Sequence, residues 1–291
     1  MNLIKLQTLN IKLISIIVFT SVLTFTSKAQ NFSEYYPMGA RQGGVGGAGV
    51  AMVDIWSASH NQAALAFLQN PSIGVFYENR FTSFGYQGFA GAYPLNNSAL
   101  SFNVSYLGVR AYSFVTTDLA YAIKLNDKIS ASAGINFHHS QFSESTYNNS
   151  NAVTAEIGIF SQISDNFAIG AHIFNPMPLY VSKQDSGKYT SILSVGMLYK
   201  PAEMINMTFQ LDKDTRYPLT YRGGIEYLYK DKLMFRIGLS SSKYSIDEGS
   251  FRYYAYSFGI GYLYKSFSLN LSFYRHYTLG FTPQFSVDYK F

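Results

Sequence analysis

The feature that most constrains the fold is a strict alternation of apolar and polar residues in the C-terminal half of the chain. In "FTPQFSVDYKF", from Phe281 to Phe291, every second residue is apolar, Pro283 among them, and the residues between are polar. Successive side chains of a β-strand point to opposite faces, so this pattern predicts strands with one apolar and one polar face. The same period occurs at 100–106, 129–137, 205–211, 233–239, 254–264 and 267–273.

The apolar faces indicate a membrane environment. The chain is 47% hydrophobic and 17% aromatic but only 13% charged, whereas about a quarter of the residues in a soluble domain are charged. Beyond the first thirty residues there is no run of about eighteen apolar residues, which a spanning helix would need. Because only helices and closed barrels satisfy all backbone hydrogen bonds in lipid, the sequence predicts a transmembrane antiparallel β-barrel in contact with outer-membrane lipid.

The connections between these segments predict the number of strands and their orientation. The segments from Ser72 to Phe291 number about fourteen, an even count as expected for a bacterial barrel with short periplasmic turns. We therefore expect the barrel at residues 71–291, including a strand at 84–93 in which glycines blur the two faces. The expected short turns are Asn126–Asp127, Ser164–Asp165, Lys230–Asp231 and Lys265–Ser266, and the longer loops are 140–151, 175–190 and 240–250.

The first 29 residues predict export from the cytoplasm. Two lysines, Lys5 and Lys12, precede the apolar run "LISIIVFTSVLTFT", and small residues follow in "SKAQ". This order is typical of a secretory signal peptide, with cleavage after Ala29. We expect a location in the outer membrane of a Gram-negative cell. The signal also holds Lys28, so the mature charge is 22 − 3 − 17 = +2, which gives no reason to expect nucleic acid as a partner.

A glycine-rich segment follows, "RQGGVGGAGVAM" at residues 41–52, and Gly44, Gly46 and Gly49 have the spacing of a dinucleotide-binding loop. Such a loop needs a buried strand before it and an acidic residue about twenty positions on. The preceding "NFSEYYPMGA" is polar and aromatic, and no acid lies between Asp54 and Glu78. We interpret the glycines as a tight turn and expect no cofactor.

Residues 30–70 are predicted to form a plug, or hatch, inside the barrel. Small residues predominate from Val50 to Phe67 without Gly or Pro, which favours a helix entered through the glycine turn. Small residues would let its backbone approach the wall closely. The residues assigned to this plug are Gly43, Gly44, Gly46, Gly47, Gly49, Asp54, Trp56, Asn61 and Gln62.

Several ionisable residues fall on the inward faces of the predicted strands. They either hydrate the lumen and pair with the plug, or line a substrate path. Arg222 and Glu226 share one face of one strand and Arg236 lies on the next, which predicts an internal ion-pair cluster. The inward set is Glu78, Arg80, Asp118, His138, Glu156, His172, Arg222, Glu226 and Arg236.

The stretch "ARQGGVGGAGVAMVDIWSASHNQAALA" resembles the N-terminal signature of the FadL-like barrel superfamily, and is most similar to its PorV and PorQ branch, which is associated with type IX secretion in Bacteroidetes. The signature has a GGAGVA segment, an Asp and an Asn-Pro-Ala-x-Leu-Ala box. The proline of that box is replaced by Gln62. The resemblance implies a 14-stranded barrel with an N-terminal hatch.

Two functions follow from this resemblance. As a PorV-like component, the barrel would act by protein interaction, with type IX translocon proteins as partners. As a FadL-like channel, it would pass a hydrophobic small molecule by passive uptake, without covalent chemistry. The uptake function predicts an apolar pocket between the segment around Trp56 and the inner wall.

An enzyme or a metal site is not expected. "HHS" places His138 and Ser140 on one face of a strand, but a separation of about 7 Å between their α-carbons is loose for a proton relay. The five histidines show no metal-ligand spacing with an acid, and the absence of cysteine excludes thiolate sites.

Tyr289 and Phe291 resemble the C-terminal signal that the barrel-assembly machinery recognises in outer-membrane strands. Alternatively, Phe291 ends the aromatic girdle. We predict that deletion of Phe291 lowers the amount of membrane-assembled protein, because the terminal signal is lost. Heat-modifiability gels measure the assembled fraction, and unchanged assembly would contradict the signal role.

Overall fold

The computed structural model describes residues 37–80, 84–109, 112–143, 149–177, 189–215, 218–246, 249–276 and 280–291. The predicted signal peptide at 1–29 and the first residues of the predicted plug lie outside the described residues. None of the helices within these ranges is long and apolar enough to cross a membrane.

Fourteen antiparallel strands close into one barrel, which confirms the predicted fold class. Each strand pairs with its neighbours in the sequence, and β1 pairs with β14 from Ser72–Lys290 to Glu78–Gln284. The strands are β1 (Ser72–Arg80), β2 (Phe84–Pro94), β3 (Ser98–Val109), β4 (Tyr112–Lys124), β5 (Ile129–Phe142), β6 (Ser150–Ser164), β7 (Phe167–Phe174), β8 (Ile192–Ala202), β9 (Ile205–Asp214), β10 (Thr220–Tyr229), β11 (Leu233–Ile246), β12 (Gly249–Tyr264), β13 (Phe267–His276) and β14 (Gly280–Lys290).

The two faces of the barrel wall follow the predicted alternation. Val75 is 49% exposed on the outer face of β1, whereas Phe76, the next residue, is 4% exposed on the inner face. The glycine-blurred strand β2 obeys the same rule, with Phe89 and Tyr93 outward and Tyr86 inward. The outer surface is therefore a continuous apolar band, as contact with acyl chains requires.

Short connections lie at one end of the barrel, called the turn end below; the opposite end is the loop end. All four predicted turns fall at the turn end. At the first of them, Asn126 Oδ1 accepts hydrogen bonds of 2.8 Å from the backbone N–H groups of Lys128 and Ile129. Lys230 and Lys265 have φ angles of 50° and 52°, the left-handed conformation that tight hairpin turns need.

We predict that Ile237→Arg impairs assembly. Ile237 is 62% exposed in the middle of β11, between the outward Ile225 and Phe258 of the adjacent strands. A lipid-facing arginine at mid-membrane costs about 2–4 kcal/mol. Urea titration in lipid vesicles, with heat-modifiability as readout, should show a lower unfolding midpoint.

The matched control is Leu125→Arg, since Leu125 is 64% exposed in a connection at the turn end. Equal destabilisation by the two substitutions would argue against the position of the lipid band.

Candidate functional site: the hatch and the barrel lumen

Residues 37–70, the described part of the predicted plug and called the hatch below, lie inside the barrel. The hatch contains helix α1 (Ala40–Gly44), helix α2 (Ser57–His60) and a 3-10 helix (Gln62–Phe67). Helix α1 packs against β11–β14, whereas the 3-10 helix packs against β2–β6. The hatch therefore crosses the lumen from one wall to the opposite wall.

The prediction of one helix from Val50 to Phe67 is wrong, because two short helical turns stand in its place. The break lies at Asn61, whose backbone is extended with φ −167°. The backbone of Val50 bonds to side chains instead of helix neighbours: its N–H donates to Gln210 Oε1 at 2.9 Å and its carbonyl accepts from Asn61 Nδ2 at 2.9 Å. Contacts across the lumen thus outweigh the weak local helix preference.

Gly46 and Gly47 make the turn that follows α1. Their φ angles are 75° and 80°, a conformation that residues with a Cβ rarely adopt. A Cβ at Gly46 would also lie 2.7 Å from the carbonyl oxygen of Leu239 in the wall. These two glycines serve a tight turn against the wall.

The other three predicted plug glycines allow close packing. A Cβ added to Gly43 would overlap the Gln284 amide, and one added to Gly49 would overlap the His60 ring. A Cβ added to Gly44 would lie 3.0 Å from Arg236 Cδ, a tight contact. Residues 37–39, which precede these glycines, do not form a strand. A phosphate-binding loop needs a strand directly before its glycines. Here the glycines instead pack against side chains of the barrel wall and the hatch.

Glycines in the wall were missed by the sequence analysis. A Cβ at Gly224 would lie 2.6 Å from the Cβ of Val45, and one at Gly196 would lie 2.7 Å from Val50 Cγ1. Both glycines occupy inward positions of their strands, opposite hatch residues. A glycine at an inward position of an alternating strand marks a place where another backbone approaches closely. This pattern in the sequence could have predicted both contacts with the hatch.

Arg41 connects the hatch to the wall. Its Nη2 and Nε lie 2.7 Å and 3.0 Å from the two carboxylate oxygens of Glu226, and its Nη1 lies 3.0 Å from Asp54 Oδ2. Arg236 Nε donates to Glu226 Oε2 at 2.6 Å, and Asn206 Nδ2 donates to Oε1 at 2.8 Å. Two guanidinium groups and two carboxylates thus balance in charge, which makes their burial tolerable.

The structure brings together two members of the predicted cluster, Glu226 and Arg236, which are direct partners in the β10–β11 register. The prediction that Arg222 belongs to this cluster is wrong, because its side chain pairs with other groups. Its Nε donates to Asp212 Oδ2 at 2.5 Å and its Nη1 to the Gly46 carbonyl at 3.3 Å. The second arginine bound to the Glu226 carboxylate is Arg41. Arg41 lies in the hatch, so residue spacing along the strands could not have indicated it.

Asp54 holds the hatch in its folded form. Its carboxylate accepts from Gln42 Nε2 at 2.9 Å and from the backbone N–H of Trp56 at 2.9 Å, besides Arg41. These bonds fix the turn that leads into α2. Several hydrogen-bond donors offset the free-energy cost of burying a carboxylate.

Beside Trp56, where the uptake function predicts an apolar pocket, the described side chains are closely packed. Trp56 is completely buried, its ring centroid lies 5.8 Å from that of Phe76, and Phe76 contacts Tyr86 in turn. The indole Nε1 donates to Asp288 Oδ1 at 2.7 Å. Trp56 is therefore a core residue that anchors the hatch on β1, β2 and β14.

Gln62 forms a second polar anchor. Its Nε2 donates to Glu156 Oε1 at 2.6 Å and to the Ala58 carbonyl at 3.0 Å. The other oxygen of Glu156 lies 3.0 Å from His172 Nε2. A proline, the residue of the resembling signature, has no side-chain donor for this carboxylate. Next to it, Asn61 Nδ2 donates to the wall carbonyl of Ile159 at 3.1 Å.

The hatch carries two groups with shifted pKa values. Burial lowers the pKa of His60 to about 4, so its imidazole is neutral near pH 7 and Nε2–H donates to the Met38 carbonyl at 3.0 Å. Burial alone would lower the pKa of Arg41, but the carboxylates of Glu226 and Asp54 raise it above its usual range. Arg41 is therefore a fixed positive charge.

An aromatic patch lines the inner wall at the loop end of β4, β5 and β7. The His138 ring stacks between Phe114 and Tyr189, with centroid distances of 5.7 Å and 4.6 Å. Two further rings, Tyr112 and Phe142, pair at 4.9 Å and are only half-buried. The patch consists of Tyr112, Phe114, His138, Phe142, Phe174 and Tyr189.

The histidine of this patch is not poised for catalysis with Ser140. Its Nδ1 lies 3.0 Å from Thr116 Oγ1 and its Nε2 lies 2.8 Å from Thr154 Oγ1. Both ring nitrogens thus have other partners, which does not fit a nucleophile–base pair. In the described part of the chain, no three His, Asp or Glu residues are grouped closely enough to hold a metal ion.

Comparison with known proteins shows the same architecture in solved channels. The CymD monoaromatic hydrocarbon channel superposes with a TM-score of 0.69 at 11% identity, covering 89% of this chain and 99% of that one. The same architecture occurs in the Ralstonia pickettii toluene transporter TbuX, with a TM-score of 0.61 at 11% identity over 91% of this chain and 99% of that one. It also occurs in a Pseudomonas aeruginosa FadL homologue, with a TM-score of 0.63 at 10% identity over 92% of this chain and 99% of that one.

At this identity the likeness shows the fold. No protein-family model matches the chain, and no curated protein does. The class is therefore a closed 14-stranded transmembrane β-barrel, the fold that these solved channels share. In this chain the described residues 37–70 lie in the lumen.

We predict that Arg41→Ala loosens the hatch without unfolding the barrel. The substitution removes hydrogen bonds to two charged groups, each worth about 1.5–3 kcal/mol, while Glu226 keeps Arg236 and Asn206 as donors. Hydrogen exchange of the amides at 42–57 should accelerate at least about ten-fold, the equivalent of 1.4 kcal/mol.

The control is Arg275→Gln, since the Arg275 guanidinium lies 5.9 Å above the Phe281 ring on the barrel wall, away from the hatch. Equal exchange in the two variants would show that Arg41 does not anchor the hatch.

Proposed function

We propose that this chain is a FadL-like outer-membrane channel for the passive uptake of small apolar compounds. The aromatic patch at the loop end carries this proposal. Barrel interiors are normally polar, and six inward rings at one rim are a departure that a purely structural barrel does not need. The similarity in fold to monoaromatic hydrocarbon and toluene channels supports the same function.

The patch offers binding by desolvation and ring stacking. Apolar compounds gain free energy when they leave water, and flat aromatic compounds gain more by stacking on aromatic side chains. Tyr112 and Phe142 are half-buried at the loop-end opening of the barrel, so part of each ring is accessible. With the short turns in the periplasm, this opening faces the outside of the cell.

Passage beyond the patch requires the hatch to move, because it spans the lumen from β2–β6 to β11–β14. The ionic and amide contacts of Arg41 and Gln62 hold it in place. No cofactor or covalent step takes part in this function. The substrate would move down its concentration gradient.

A role in type IX secretion is a second candidate, and the resemblance of residues 40–66 to the PorV and PorQ signature supports it. In that role the barrel would bind translocon proteins. Purification from the native membrane separates the two functions, because co-eluting translocon subunits would favour secretion and a bound apolar molecule would favour uptake.

We predict that Phe142→Ala slows uptake of a small aromatic probe. The substitution removes one half-buried ring of the patch, and the lost stacking is worth about 0.5–1.5 kcal/mol, or roughly two- to ten-fold in rate. The measurement is the entry of 1-N-phenylnaphthylamine into cells with an intact outer membrane that produce the protein.

Phe137→Ala is the matched control, since Phe137 lies on the same strand, faces outward and is 50% exposed. Equal rates for the two variants, or wild-type protein that does not raise uptake above cells without it, would contradict the proposed function.

A further inference from the structure

Charge is distributed unevenly between the two faces of the barrel wall. Every acidic residue of the described strands occupies an inward position. The outward positions of these strands instead hold four lysines and arginines, all near the loop ends of β9, β11, β12 and β13. These four residues, called the cationic rim below, are Lys213, Lys243, Arg252 and Arg275.

The strand register brings the cationic rim together on one side of the barrel. Lys243 is directly opposite Arg252 in the β11–β12 pair. Lys213 lies in the same row, with β10 between it and β11. Arg275 is opposite Tyr256, four residues from Arg252 along β12. Like charges at directly opposite positions are destabilising, so this arrangement favours an anion as a partner.

The cationic rim lies at the outer edge of the apolar band. Lys213 is eight residues beyond Ile205, where β9 begins at the turn end, and Lys243 is ten residues beyond Leu233, where β11 begins. Arg275 is eight residues beyond the start of β13. At a rise of about 3.4 Å per residue and a tilt of about 40°, these positions are about 21–26 Å from the turn end. The apolar band of an outer-membrane barrel is about 25 Å tall, so these cations lie at the level where headgroups begin.

Arg275 shows the surroundings of the rim. It is exposed on the outer wall, and its guanidinium carbon lies 5.9 Å from the centroid of the outward Phe281 ring. Among the described residues, no carboxylate lies within ion-pair distance of it. The outward rings of Tyr254 and Tyr256, which are 50% and 54% exposed, belong to the aromatic girdle beside it. A guanidinium at this level is accessible to a phosphate group of a lipid.

We propose that the cationic rim binds the phosphate groups of a glycolipid in the outer leaflet, the lipid A type of Gram-negative membranes. With the short turns in the periplasm, the loop end meets that leaflet. The acyl chains lie against outward apolar residues of the band, such as Ile237 and Phe258. The phosphates lie between Lys243, Arg252 and Arg275, because an anionic headgroup is attracted by each cation at the membrane surface.

The position of the rim favours this lipid over other anions. A free phosphate ion would not need cations at the boundary of the apolar band. A zwitterionic phospholipid carries its own amine, which already balances its phosphate. An acidic protein would match the charge, but it would be bound by cations on the loops as well as by cations beside the girdle. This site lies on the outer wall and does not depend on the proposed uptake function.

Native mass spectrometry of the full chain in mild detergent tests the proposal. Bisphosphorylated lipid A should remain bound at activation energies at which the same lipid without phosphates is lost. Arg252→Gln and Arg275→Gln should each lower lipid A binding about five-fold, the effect of one cation near an anionic lipid surface. Lys265→Gln is the matched control, because Lys265 Nζ also lies near a ring, 5.5 Å from the Tyr264 centroid, but at the turn end of the same strands.

Heat-modifiability verifies that each variant is folded, and the comparison of the two lipids on the wild-type protein tests the proposal without any variant. Inorganic phosphate is added as a competitor and should not displace lipid A, because it has no acyl chains. Four results would overturn the proposal: equal retention of the two lipids, equal effects of Lys265→Gln and Arg275→Gln, displacement of lipid A by inorganic phosphate, or loss of a co-purified acidic protein from Arg275→Gln with unchanged lipid A binding.

Discussion

Closure of the sheet between β1 and β14 is the constraint on which the rest of the structure depends. In lipid, an open sheet edge would leave a row of backbone groups without hydrogen bonds, at several kcal/mol each. The register from Ser72–Lys290 to Glu78–Gln284 removes that edge. Once the sheet is closed, every second residue of each strand faces a confined interior, and the polar groups there depend on whatever fills it.

The hatch fills that interior, and its side chains donate hydrogen bonds to carboxylates of the wall. Three inward carboxylates on three different parts of the barrel each accept a hydrogen bond from a hatch side chain. A buried carboxylate without such donors would be costly, so the hatch satisfies the wall as much as the wall holds the hatch. The pairs are Arg41 with Glu226, Gln62 with Glu156, and Trp56 with Asp288.

The strands were predictable because their signal is local. Alternation between apolar and polar residues is visible within one segment such as 281–291, and turn residues such as Lys230–Asp231 mark its ends. The interior was not predictable in the same way. The break at Asn61 and the pairing of Arg222 with Asp212 depend on partners far away in the sequence, which become neighbours only when the register is fixed. Gln62, a visible departure from the resembling signature, was the one local hint of such a partner.

The contacts that hold the hatch differ in kind across the lumen, and this difference bears on how it can move. Toward β1–β3 the hatch packs through Trp56 and small apolar residues, contacts that tolerate small shifts because they have little directionality. Toward β10 and β11 it is held by the charged hydrogen bonds of Arg41, which are lost over a few tenths of a nanometre. A small displacement of the hatch therefore breaks the hydrogen bonds of Arg41 to Glu226 before it breaks the packing of Trp56 on Phe76.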